Sequence, residues 1–158
     1  MQKAVCFPHS DDQFKTPAKL MSWLEYSLRK TLDGYYMYRK GPAIGKLDQG
    51  SLVFFYKSKL IVGCAVVEKA SMPLEQAEIE RCKEIYGEDS TDCNGMENVV
   101  KFFTDSIWVW NEQELVNEDE FKSITEKSLS NYPIVEPDEV LKLYEIVAKK
   151  RETMNKRV

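Results

Sequence analysis

Aromatic and basic side chains lie close together at several points of this sequence, and together they could bind a planar ring attached to a phosphate. Tyr36 precedes Arg39 and Lys40, and Tyr56 is followed by Lys57. Aromatic rings stack on flat heterocycles, which contributes about 1–3 kcal/mol per stacked base, while basic side chains contact phosphate. The candidate residues for such a site are Trp23, Tyr36, Arg39, Lys40, Tyr56, Lys57, Lys59, Trp108 and Trp110.

Each of these candidates also has a purely structural explanation. Trp23 falls on the apolar stripe of a predicted helix, and Trp108 and Trp110 share one face of a predicted strand, which are positions typical of a core. The lysines could form a solvated strand edge that blocks association between sheets. Tyr56, at the end of an apolar strand and beside two lysines, is the strongest single candidate.

Metal and cofactor chemistry finds little support in the residue types. The four cysteines, Cys6, Cys64, Cys82 and Cys93, form no closely spaced pair, and His9 is the single histidine, so no zinc site is predicted. Free thiols are the expected state of the cysteines. The acidic loop 88–95 lacks the ligand spacing of a calcium-binding loop. The sequence therefore predicts no metal and no cofactor.

Catalysis is not indicated by any constellation of residues. His9, Ser10 and Asp11 are the residue types of a hydrolytic triad, but adjacent side chains in one turn seldom point at one another. The segment 41–46 contains two glycines but lacks the spacing and the Ser or Thr of a phosphate-binding loop. An enzyme acting on a small molecule stays open as an alternative, and a non-catalytic protein is favoured.

A predicted β-hairpin over residues 50–68 organises the rest of the chain. It contains the longest apolar, β-branched and aromatic run of the sequence, and Lys57-Ser58-Lys59 marks its turn. Strands this apolar must be covered on at least one face. Gly63 inside the second arm predicts a β-bulge or a close approach of another backbone.

Helices and further strands surround this hairpin. Thr16 as N-cap and Pro17 as first helical residue begin a helix that Gly34 ends in the left-handed conformation. We expect this helix to close one open end of the sheet. Strands are predicted over 3–7, 35–40, 99–103 and 107–110, the last two forming a hairpin or one kinked strand, and helices over 74–86, 117–129 and from 136 onward. Because strands adjacent in sequence favour antiparallel pairing, the predicted fold is α+β, a small mixed or antiparallel β-barrel with helices covering its ends.

The length and charge of the chain constrain its domain number and its possible partners. The 158 residues are expected to form a single domain, 1–158. No apolar run reaches the ~18 residues of a membrane helix, and the first residues are not typical of a secretory signal, so we predict a cytoplasmic protein without membrane contact. Residues 1–70 carry 11 Lys and Arg against 6 Asp and Glu, whereas residues 71–139 carry 5 against 18. The first part suits an anionic ligand, and the second suggests a surface that docks a basic protein partner.

The hairpin sequence has a recognisable form. A Gly-x-x-Val-Phe-Phe-Tyr strand at 50–56 is followed by a very short turn and an Ile-Val-Gly-x-Ala-x-Val strand at 61–67. This hairpin resembles that of the PUA-like superfamily, with the EVE and ASCH domains closest, and the segment 103–110 is also similar. The resemblance implies a PUA-like pseudobarrel that binds RNA, or DNA with a modified base flipped into an aromatic pocket. That pocket would lie against the hairpin and near the first helix.

Together, the residues and the resemblance predict a non-catalytic nucleic-acid-binding module that recognises RNA, or a modified base in DNA, through an aromatic pocket with a basic rim. The alternatives are a protein-interaction domain that uses the acidic 71–139 surface and a small-molecule enzyme. The sequence does not predict an oligomeric state.

Overall fold

The predicted hairpin is the centre of a mixed eight-stranded sheet. The structure, a computed structural model, describes residues 4–11, 13–38, 47–77, 79–80, 84 and 98–156. Within them the strands are β1 (Ala4–Pro8), β2 (Tyr35–Tyr38), β3 (Leu52–Lys57), β4 (Leu60–Pro73), β5 (Asn98–Phe102), β6 (Trp108–Val109), β7 (Val116–Asn117) and β8 (Ile134–Val135). The helices are α1 (Pro17–Ser22), which continues as a π-helix (Trp23–Thr31), α2 (Glu118–Thr125) and α3 (Pro137–Lys156), with 3₁₀ turns at Thr104–Ser106 and Glu112–Glu114.

The strand order is β2-β5-β4-β3-β1-β8, with β6 and β7 also pairing with β4. β1 runs parallel to β3 and β3 antiparallel to β4, which confirms a mixed α+β fold. The pairings among the described residues form an open path from β2 to β8, so they do not show the closed barrel that was predicted. The sheet nevertheless curls, so that β1 and β2 face each other across it. The ring of Phe7 on β1 lies 5.7 Å from that of Tyr36 and 5.5 Å from that of Tyr38 on β2.

Both faces of the hairpin are covered, which explains why its sequence is continuously apolar rather than alternating. Val53 and Phe55 of β3 belong to the core cluster that also contains the leucines of α1 and the π-helix. Phe54 and Tyr56, which alternate with them, belong to a second cluster beneath α2 and α3. The sequence predicted that at least one face of the hairpin is covered, and in the structure both faces are.

The hairpin turn uses two residues that suit its backbone poorly. Ser58 and Lys59 have positive φ values of 51° and 62°, as in the type I′ turn for which Asn-Gly is preferred. We expect Lys59→Gly to raise the free energy of unfolding by about 0.5–1 kcal/mol, because relief of the left-handed strain outweighs the added entropy of the unfolded chain. Lys59→Ala removes the same charge without relieving the strain. Urea unfolding compares the two variants, and equal stabilities would contradict the strain argument.

The first helix starts as predicted and then changes its winding. The Thr16 hydroxyl accepts a hydrogen bond from the Lys19 N–H at 3.2 Å, and Gly34 ends the segment with a φ of 84°. The buried leucines recur every four residues, a spacing wider than the 3.6-residue turn of an α-helix, at positions Leu20, Leu24, Leu28 and Leu32. From Trp23 onward the chain is a π-helix, a winding that is rare and is found frequently at functional sites.

Gly63 has both features that its position in the strand predicted. A register shift between Phe55 and Tyr56 places a bulge in the hairpin next to it, and a Cβ at Gly63 would overlap the carbonyl oxygen of Trp108. For residues 99–110 the structure shows the kinked strand rather than a hairpin, because β5 and β6 follow one another along the same neighbour, β4.

Some sequence predictions lie outside the described residues. They include residues 78, 81–83 and 85–86 of the helix predicted over 74–86, the acidic loop 88–95, and Arg39 and Lys40 at the end of the second predicted strand. In the part of the chain that the structure does describe, no helix has the length and apolar character needed to cross a membrane.

Candidate functional site

A cavity of about 270 Å³ opens at the end of β1, where β1 faces β2. Four of its residues are buried rings, whereas Ser10 and Gln13 at its mouth are exposed and polar. We call it the aromatic pocket. It is lined by Phe7, Pro8, His9, Ser10, Gln13, Tyr36, Met37, Tyr38 and Tyr132.

His9 and Tyr36 form a hydrogen-bonded pair at the floor of this pocket. Nδ1 of His9 lies 3.1 Å from the carbonyl oxygen of Tyr56, and Nε2 lies 2.7 Å from the hydroxyl oxygen of Tyr36. A carbonyl oxygen only accepts, so Nδ1 carries a proton, and in the neutral imidazole Nε2 then accepts from the Tyr36 hydroxyl. The neutral imidazole is thereby held in one tautomer, and the Tyr36 oxygen keeps its lone pairs.

Burial holds both members of the pair in their neutral forms. It lowers the pKa of His9 to about 4, opposed by the hydrogen bond to the Tyr56 backbone and reinforced by the positive charge of Lys57. Burial also raises the pKa of Tyr36 above its ordinary range. At neutral pH the pocket floor therefore presents an uncharged imidazole and an uncharged phenol.

The walls of the pocket are held by contacts outside it. Tyr38 donates a hydrogen bond to Ser71 Oγ at 2.6 Å, which fixes its ring beside Phe7. Tyr132 lies on the loop between α2 and β8, and its ring meets Phe7 edge-on with centroids 5.6 Å apart. The backbone of Tyr132 also lies near the hydroxyl of Tyr56 on β3, where it opposes the rise that burial causes in the pKa of that hydroxyl. Tyr132 also has a φ of 55°, a strained value for a tyrosine, and such strain clusters at ligand sites.

The five aromatic residues predicted from the sequence do not form one cage, because they lie on opposite faces of the sheet. Tyr36 lines the aromatic pocket, and Trp23 packs against it with ring centroids 5.9 Å apart. Tyr56 and Trp110 are 5% and 1% exposed and belong to the core beneath α2 and α3. Trp108, 37% exposed, contacts Trp110 on that same side. Of the five, Tyr36 is the one whose side chain reaches the pocket.

The predicted basic rim is also dispersed. Lys57 is 3% exposed, and its ammonium group pairs with the carboxylate of the exposed Asp11. Lys59 is exposed on the hairpin turn. Arg39 and Lys40 follow Tyr38 directly in the sequence but lie outside the described residues. The structure therefore leaves the rim role of Arg39 and Lys40 a prediction and places Lys57 in a buried ion pair.

Sequence reasoning missed four of the rings that line the pocket: Phe7, His9, Tyr38 and Tyr132. A signal existed for two of them. His9 is the single histidine and directly follows the first strand, and Tyr38 lies two residues after Tyr36, hence on the same face of β2. Tyr132 gave no local signal, because a contact with a distant strand places its loop.

The arrangement of strands and helices is similar to that of solved ASCH structures. Two solved structures share it, that of ASCH from Zymomonas mobilis and that of a point mutant of the same protein, each with a TM-score of 0.53 and 14% sequence identity. The first covers 90% of this chain and 94% of its own, and the mutant covers 91% and 98%. No protein-family model and no curated protein sequence matches the chain. At this identity the likeness shows the fold alone, and at that level it confirms the predicted resemblance to ASCH domains.

Proposed function

We propose that the protein binds single-stranded nucleic acid, with one base inserted into the aromatic pocket. The observation that carries the proposal is the cavity between β1 and β2, whose floor and walls are rings. Its volume of about 270 Å³ lies just below the ~300–1,000 Å³ typical of small-molecule sites, which suits one flat heterocycle. The PUA-like fold, which the sequence resemblance associates with RNA or with a modified base in DNA, supports the same ligand.

The pocket floor gives this proposal a chemical preference. The Tyr36 hydroxyl proton is engaged by His9, so the Tyr36 oxygen retains lone pairs that can accept a hydrogen bond from a bound ring. Leaving a buried acceptor unpaired costs about 1–3 kcal/mol, so a ring that presents an N–H to this oxygen is favoured over one that does not. The amino groups of cytosine and adenine are donors of this kind.

The same geometry supports binding rather than proton transfer. Both nitrogens of His9 are engaged, one by the Tyr56 carbonyl and the other by the Tyr36 hydroxyl. With a pKa of about 4, the imidazole also lies far below the value that suits a general base at neutral pH. His9 therefore acts as a rigid support for Tyr36, and its side chain does not hydrogen-bond to Ser10 or Asp11 in the way a triad would need.

Two further parts of the proposal concern architecture and location. The pocket lies where a closed pseudobarrel would bring β1 and β2 together, and in this proposal the curled sheet works as such a pseudobarrel. A cytoplasmic location is proposed as well, and the free, buried thiols of Cys6 and Cys64 are consistent with a reducing compartment.

The experiment that tests the proposal replaces the most accessible wall of the pocket. Tyr132→Ala removes a stacking ring, so we expect it to weaken binding of a fluorescein-labelled cytidine RNA pentamer at least about five-fold. Tyr132→Phe keeps the ring and should bind as the unchanged protein does. Fluorescence anisotropy at two salt concentrations measures both, with thermal unfolding confirming that each variant is folded. The same pentamer in DNA shows which sugar is preferred.

A second measurement addresses the donor preference directly. Cytidine is compared with 2-pyrimidinone ribonucleoside, the same ring without its amino group, by NMR titration. Cytidine should bind at least about five-fold more tightly, since the other ring leaves the Tyr36 oxygen unpaired. Failure of the RNA pentamer and of both nucleosides to bind at any accessible concentration would overturn the proposed function.

A further inference from the structure

A second, more open groove of about 510 Å³ lies beside the aromatic pocket, along α1 and the start of the π-helix. Its walls combine the rings of Phe14, Trp23 and Tyr26 with the side chains of Lys15 and Lys19. No part of the function proposed above uses this groove. Its mixture of aromatic and basic side chains is nevertheless the composition that binds single strands, with stacking rings beside phosphate-binding cations.

The groove adjoins the aromatic pocket. Gln13 lines both cavities. Their walls are joined by a chain of edge-to-face rings, in which Phe14 lies 5.7 Å from His9 and 5.4 Å from Trp23, and Trp23 lies 5.9 Å from Tyr36. A strand with one base in the pocket would therefore lead its next nucleotide onto the groove.

Tyr26 supplies an exposed ring in this groove. It is 60% exposed, more than Trp108 or any other large apolar residue that reaches the surface of the described chain. Lys30 Nζ lies 5.4 Å from its ring centroid and places a positive charge beside this ring. Tyr26 lies within the π-helix, whose unusual winding sets the direction of this side chain.

The charge of the groove suits a phosphate. Lys15 and Lys19 are exposed, and neither makes an ion pair with any carboxylate among the residues that the structure describes. The nearest acidic residue of the π-helix, Glu25, pairs with Arg29 at 2.7 Å and does not line the groove. These exposed ammonium groups can contact a phosphate without first breaking an ion pair to a described carboxylate.

We propose that this groove binds the nucleotide adjacent to the one whose base occupies the aromatic pocket. Its base stacks on Tyr26 and Trp23, and its phosphate contacts Lys15 and Lys19. This inference rests on the proposed function, to which it adds a second nucleotide subsite. The subsite provides the phosphate contact that Lys57, which is buried, cannot make.

The test uses the whole chain, the labelled cytidine RNA pentamer and free cytidine. The double variant Lys15→Gln/Lys19→Gln should reduce the slope of log affinity against log salt for the pentamer by about 0.7, the value for one neutralised phosphate on a single strand. Tyr26→Ala should weaken pentamer binding at least about five-fold. Neither variant should change the affinity for cytidine, which occupies the pocket alone. Because all three residues are exposed, these variants are expected to fold.

A matched control separates a site from general charge. Lys142→Gln/Lys149→Gln removes two exposed lysines from α3 and should leave the salt slope unchanged; an equal loss in this variant would overturn the inference. Unchanged pentamer binding in both groove variants, together with weaker binding by Tyr132→Ala, would overturn the groove while leaving the pocket. Weaker binding by the groove variants alone would overturn the pocket, and with it the position of the groove nucleotide next to a pocket-bound base, and would show that the groove binds the strand by itself. If the unchanged protein binds neither probe, both proposals fail.

Discussion

Replacing Gly34 with alanine is expected to destabilise the protein by about 2–5 kcal/mol. Gly34 has a φ of 84°, which costs an L-residue about 1–2 kcal/mol. A methyl group there would also overlap the carbonyl oxygen of Phe102. This backbone cannot easily move away, because the Phe102 N–H donates a 2.8 Å hydrogen bond to the Gly34 carbonyl. Gly34 directly precedes β2, so the variant should also displace the pocket residues Tyr36 and Tyr38.

Gly50 provides a matched control for this prediction. It has nearly the same φ, 86°, but a Cβ there would meet nothing within 4 Å. Gly50→Ala should therefore cost about 1–2 kcal/mol, the conformational part alone. Urea unfolding measures the loss of stability in each variant. The loss in Gly34→Ala beyond that in Gly50→Ala is the cost of the overlap with Phe102. If the two substitutions cost the same, the close packing of Gly34 against β5 is not a feature of the folded protein.

Acidification from pH 6.5 to pH 4 is expected to remove about 3 kcal/mol of stability through His9 alone. Burial lowers the pKa of His9 from 6.5 to about 4 in the folded protein. In this window the unfolded chain binds a proton that the folded chain does not, so stability falls as the pH falls. The contribution is complete above pH 6.5 and is lost by about pH 4. Lys57, whose ammonium group is paired with Asp11, adds to the cost of charging the imidazole.

The contribution of His9 is isolated by a difference measurement. His9→Gln has no titrating group at this position, while every carboxylate is common to both proteins. The stability of the unchanged protein minus that of His9→Gln should therefore fall by about 3 kcal/mol between pH 6.5 and pH 4. A direct NMR titration of the single imidazole is the independent check. A flat difference, or an imidazole that titrates near 6.5, would show that His9 is not held neutral in the pocket floor.

The sequence could predict the hairpin because its information is local. The break at Ser58 and Lys59 separates two apolar runs by a turn so short that they pair with each other antiparallel, and the observed pairing follows this prediction. The N-cap at Thr16 and the left-handed Gly34 were predictable for the same reason, since each depends on a few neighbouring residues. The resemblance of the hairpin to the PUA-like superfamily extended these local predictions to the fold.

The composition of the pocket could not be predicted in the same way. Tyr56 and Tyr36 are both strand tyrosines in the sequence, yet one lies in the core and the other in the pocket. What separates them is which face of the sheet each side chain takes and what covers that face, and β3 is covered on both. A strand alternates its side chains with a period of two, so its sequence gives the two sets but not which set faces a cavity.

The sequence by itself determined the central hairpin, the ends of the first helix and the α+β class, because turns, caps and apolar runs act over a few residues. The tertiary structure alone decided the candidate site. Phe7, His9, Tyr38 and Tyr132 come from three separate segments, and they meet because the sheet curls until β1 faces β2. That curvature results from the accumulated twist of many strand pairs and from the packing of helices on both faces, so no single segment of the sequence specifies it.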